Sequence, residues 1–78
     1  MTYPCLVWSR GVVASCVLHR SKTDLVLVGE VTDFGIDGPD RWRADWLGGV
    51  VIERAALPSS DEARAWVAEM AREKGMIA

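Results

Sequence analysis

This chain of 78 residues is short of the side chains that usually carry chemistry. One histidine, His19, and two cysteines, Cys5 and Cys16, are all it offers a nucleophile or a transition metal. The cysteines follow neither a C-x-x-C nor a zinc spacing, and a single disulfide is a weak scaffold, so two free thiols in a reducing cytoplasm are expected. There is also no run of like charge. Nine Lys/Arg against eleven Asp/Glu leave a net charge of -2, which argues against the basic patch that duplex phosphates require. No apolar run approaches the roughly 20 residues of a membrane span. Val13-Ala14-Ser15-Cys16 has the look of a lipoprotein cleavage box, but Arg10 breaks the apolar stretch before it and leaves too little for a signal core. Repeats and low-complexity tracts are missing as well. These absences point to a single intracellular domain over 1–78, with no membrane segment, no metal and no cofactor.

What the chain does have is bulk. Half its residues are hydrophobic and four are tryptophan, which offsets a length near the lower limit for a self-sufficient core. Tyr3 to Trp8 is short, apolar and β-prone, and Pro4 suits an edge strand. Val12 to Arg20 reads as a strand on its valines, with a helix as the alternative because short apolar runs do not declare their period. After a polar turn at Arg20-Ser21-Lys22-Thr23-Asp24, Leu25 to Thr32 reads as its hairpin partner. Asp33 to Asp40 is irregular, with turn chemistry at Gly38-Pro39. Trp42 to Leu47 alternates, placing Trp42, Ala44 and Trp46 on one face and Arg41, Arg43 and Asp45 on the other. Gly48-Gly49 can supply the positive φ angles of a tight hairpin turn, with Val50 to Ala56 pairing back.

The helix has the clearest local signals. Ser59 and Glu62 form a capping-box pair, each satisfying an amide that the helix start leaves free. Ala63, Trp66, Val67, Met70 and Ala71 make one apolar stripe, and Gly75 is placed to end the helix. The expected fold is therefore α+β: an antiparallel sheet of four to five strands with one C-terminal α-helix packed on one face.

One helix covers one side of a sheet. Strict alternation assigns Val12, Ala14, Cys16, Leu18, Leu25, Leu27, Gly29 and Val31 to the helix side. It leaves Val13, Val17, Val26 and Val28 on the open side, a patch suited to self-association as a homodimer.

Catalytic and metal motifs do not cohere. Asp33-Phe34-Gly35 spells the magnesium triplet of protein kinases without room for the rest of such an enzyme. Asp33, Asp37 and Asp40 do not fit a calcium loop. His19 lies near Ser21 and Cys16, but no third group orients it, and adjacent strand residues point to opposite faces. Arg41-Trp42-Arg43 with Trp46 has a base-stacking look, yet the alternation puts the tryptophans in the core.

Trp42-x-Ala44, Gly48-Gly49 and Ser59-x-x-Glu62-Ala63-x-x-Trp66-Val67, together spanning roughly Arg41 to Glu69, resemble the ββα ending of small phage and prophage proteins. They also resemble the DNA-binding arm domains of phage-type integrases. That second likeness implies nucleic-acid contact through Arg41, Arg43 and Arg54, diluted here by Asp45 and Glu53. In size, acidity and architecture the chain is similar to phage anti-CRISPR inhibitors, which occupy surfaces of host nuclease complexes. The implied function is a non-enzymatic protein-binding inhibitor, with a nucleic-acid-binding module as the alternative. Arg41, Arg43, Asp33, Asp37 and Asp40 are the expected partner contacts.

Overall fold

In a computed structural model that describes residues 2–78, the chain forms five strands and one helix. The strands are β1 (Cys5–Trp8), β2 (Val13–His19), β3 (Leu25–Asp33), β4 (Trp42–Trp46) and β5 (Glu53–Leu57), followed by α1 (Ser60–Glu73). Every neighbouring pair is antiparallel and the spatial order is the chain order. The sheet is a simple meander. Val12 to Arg20 is thus strand rather than helix.

The helix begins where the capping signal places it. Ser59 Oγ accepts the Glu62 amide at 3.2 Å. Its hydroxyl donates to the Glu62 carboxylate at 3.1 Å, so Glu62 holds the serine hydroxyl instead of reaching a backbone amide. At the other end Gly75 takes a φ of +71°. Its amide donates to Arg72 O at 3.0 Å and the Met76 amide to Ala71 O at 2.9 Å. This is the paired closure that a left-handed residue permits after a helix, and it turns Met76 and Ile77 back onto the core.

Ala63, Val67, Met70 and Ala71 are buried against β3, β4 and β5. Trp66 is half-buried beside them. On the sheet, Ala44 and Trp46 are fully buried and Trp42 partly so, as the alternation in β4 predicts. Gly29 lets helix and sheet approach closely: a Cβ there would lie 2.7 Å from Val67 Cγ1.

Two expectations are corrected. The register between β2 and β3 slips between Cys16 and Val17, so that Cys16 faces Gly29 while Val17 faces Leu27. Val28 is the extra residue of a β-bulge, and an extra residue reverses the facing of everything before it. Val28 is consequently fully buried and Val26 packs on the core, while Leu25 and Leu27 are 52% and 46% exposed. The open-side assignment of Val26 and Val28 was inverted, as was the helix-side assignment of Leu25 and Leu27.

The second correction concerns the β4–β5 connection. Gly48 and Gly49 do not adopt positive φ, whereas Gly11, Gly35, Gly38 and Gly75 do. They serve instead for closeness. A Cβ on Gly48 would lie 2.6 Å from Trp46 Cζ2, so the backbone runs directly across the buried indole. The Leu47 amide donates to Val28 O at 2.7 Å. Strand pairing resumes only at Glu53, and Val50, Val51 and Ile52 form an exposed loop where strand was expected.

Candidate docking surface

The bulge divides the open face of the sheet into two unlike halves. Register partners share a face, so Val7, Val17 and Leu27 make one row across β1, β2 and β3. Cys5, His19 and Leu25 make the next. Among the described residues no element covers them, and Val7, Leu25 and Leu27 are all exposed. Val13 also stands on this face, separated from the row by Ser15.

The other half is charged. Ser15, Glu30, Asp45 and Arg54 form a row across β2 to β5. Asp45 is only 5% exposed because two arginines lie over it. Arg43 Nε is 3.3 Å from Asp45 Oδ2, and Arg54 Nε is 3.2 Å from Oδ1. Arg43 Nε and Asp45 Oδ1 make no well-formed hydrogen bond, so these are Coulombic contacts of imperfect geometry. The Arg43 guanidinium also stacks on Phe34, 5.1 Å from the ring centre. Both arginines are thereby spent on a carboxylate of the same chain.

The irregular loop is likewise occupied with itself. Asp33 accepts the Gly35 amide at 2.8 Å and Arg41 Nε and Nη2 at 2.9 and 3.2 Å. The Arg41 hydrogen bonds, followed by that of the Gly35 amide, hold the Asp33 carboxyl below the usual carboxylate range. The same pair pushes the Arg41 guanidinium up. Asp37 stands in solvent 3.8 Å from Arg41, and Asp40 is exposed. The expected contact residues Asp33, Asp37 and Arg41 therefore form one cluster, whose main job is to pin the loop. Arg43 joins the sheet face instead.

His19 and Cys16 face opposite sides of β2, so no nucleophile–base pair can form between them. Burial pushes the Cys16 thiol up to about 12, which removes the thiolate that nucleophilic chemistry uses. Ser21 Oγ accepts the Asp24 amide at 3.1 Å and is committed to the turn. Among the described residues, no three His, Cys, Asp or Glu side chains are grouped to hold a metal ion, and no helix is long and apolar enough to cross a membrane.

Sequence reasoning missed Val7, Leu25, Leu27 and the exposed Val50-Val51-Ile52 loop. Gly29, a glycine inside a strand, was the one local signal for the bulge that exposes the leucines. The chain matches no protein-family description, no curated protein and no solved structure.

Proposed function

We propose that this protein is a binding module for another protein, docking through the open sheet face. Its concrete form is an inhibitor or adaptor that occupies a surface of a host nucleoprotein or nuclease complex. The observation that carries this reading is the uncovered row Val7, Val17 and Leu27 with Leu25 beside it. An apolar patch on so small a chain, rimmed by charge, is the usual signature of a contact surface. Magnitude bears on how it binds. Fully burying four such side chains is worth roughly 6–12 kcal/mol; about half that remains to be gained where half the surface is already covered. Association costs about 4–15 kcal/mol. The aliphatic rows anchor but do not suffice, and the charged half must supply specificity through Glu30, the carboxylate of that row on which Arg43 and Arg54 do not lie.

The same arginines weigh against nucleic acid as the partner, because each already lies against Asp45. The test uses Leu27→Asp and Val17→Asp, both on the solvent side of the sheet, in binding assays against purified nuclease–RNA complexes. Loss of binding with an unchanged melting temperature supports the reading. Wild-type binding by both variants removes it. A low-salt mobility shift of DNA or RNA that disappears in Arg43→Ala would replace it with the nucleic-acid alternative.

A further inference from the structure

On the helix side of the sheet, beyond the end of α1, lies a groove of about 550 Å³. Leu18, Val26, Val28, Gly48 and Met76 line it, together with Arg20. It exists because α1 covers β3, β4 and β5, leaving the inner face nearer β1 to the returning C-terminal tail. Two residues past Gly48, the connection between β4 and β5 carries Val50, Val51 and Ile52. Val50 is fully exposed, and Val51 and Ile52 are 71% and 52% exposed. Three successive branched aliphatic side chains in water are costly, and nothing in the core needs them.

We propose that the occupant of the groove is this loop from a second copy of the chain, exchanged reciprocally in a two-fold dimer. Three features converge on a second copy. Protrusion and groove are both apolar, and both belong to one chain. They adjoin through Gly48, so a two-fold axis passing between them sets each loop against the other copy's groove, the self-complementary relation that such symmetry demands. Charge follows the same exchange. Glu53 directly follows the aliphatic loop and Arg20 lines the groove, so each crossing would bring an acid to a base. Among the described residues, Glu53 and Arg20 have only exposed partners, Lys74 at 3.3 Å and Asp24 at 3.5 Å, which exchange readily. A contact built on a three-residue loop falls far short of the roughly 20–30 residues a side of a durable interface, so the dimer is transient. This surface is separate from the open sheet face and does not depend on the function proposed for that face.

Sedimentation velocity from about 1 µM to about 1 mM should show a monomer–dimer equilibrium, weakened at least tenfold by Val50→Asp with Val51→Asp, since one buried charge costs more than the 1.4 kcal/mol of a tenfold change. Both positions are solvent-exposed, so the variant folds. For geometry, Val51→Cys and Met76→Cys chains, each also carrying Cys5→Ser, are mixed with oxidised glutathione. Cross-links between a Val51→Cys chain and a Met76→Cys chain are expected in excess of those between two Val51→Cys chains. A wild type that stays monomeric throughout, a dimer indifferent to the aspartates, or a dimer dissociated by Leu27→Asp alone would each overturn the proposal. The last would instead place self-association on the open face.

Discussion

Replacing Gly29 by alanine would put a methyl group where Val67 already is. The new Cβ would lie 2.7 Å from Val67 Cγ1 and 3.2 Å from the Asp45 carbonyl oxygen. Carbon atoms in contact prefer about 3.5–4.0 Å, so the overlap is about 1 Å. Neither partner retreats easily. Gly29 lies in the central strand, paired with Cys16 on one side and Trp46 on the other. The helix is fixed at its start by Ser59 and at its end by the closure around Gly75. Overpacking of this kind costs about 1–3 kcal/mol, and the stiffer unfolded chain returns about 0.4–1 kcal/mol. A net loss near 1 kcal/mol lowers the melting temperature of a domain this size by roughly 4–8 °C. Val67→Ala alone should also destabilise, by about 1–3 kcal/mol, through the cavity it leaves. Combined, the two changes should compensate, because the alanine methyl fills the space that the valine vacates. Urea denaturation of the wild type, both single variants and the double variant gives the coupling energy, expected at about 1 kcal/mol or more. Additivity within about 0.3–0.5 kcal/mol would show that the helix does not sit on Gly29 as described.

Val28→Asp should unfold the domain, since it places a carboxylate at a fully buried position, whereas Leu27→Asp should change stability by less than about 1 kcal/mol. Circular dichroism melts rank the two, and the reverse order would refute the bulge. Cys16 should resist iodoacetamide at pH 8 in the native protein and react on unfolding, with Cys5, only partly buried, labelled first. Equal labelling rates would refute the burial of Cys16. Its folded value is raised from 9.0 to about 12. The stability it contributes is therefore complete below pH 9 and lost as pH rises toward 12, and Cys16→Ala should reduce that alkaline decline.

The elements legible in the sequence were those whose signals are local. In β4, Ala44 and Trp46 are buried as the alternation requires, with Asp45 buried as well on the other face by the arginines over it, and the stripe Ala63, Val67, Met70 and Ala71 repeats the helical period. Two features were not local. The bulge is a relation between β2 and β3, and alternation read along β3 alone assigns Val28 to the wrong side. Gly48 is required by the Trp46 indole packed against it, and a Gly-Gly pair looks the same whether it serves a turn or a close approach. The contact residues suffered a related fate. Asp33, Arg41 and Arg43 look available in a linear reading, but Asp33 and Arg41 neutralise each other across the loop and Arg43 lies against Asp45. Charge consumed internally leaves no trace in composition.

The extra residue in β3 also insulates the outer surface from a loss of length at that point. Deleting one codon at Val28 would restore a strict two-residue period and set Leu27 directly beside Gly29, so Leu27 would still face Val17, Val26 still face Leu18 and Leu25 still face His19. A single in-frame deletion would thus spare the adhesive half of the molecule and fall on the core, which loses a fully buried valine. Variation in this protein's stickiness is therefore open to substitution at the outer positions, while shortening at the bulge alters stability instead.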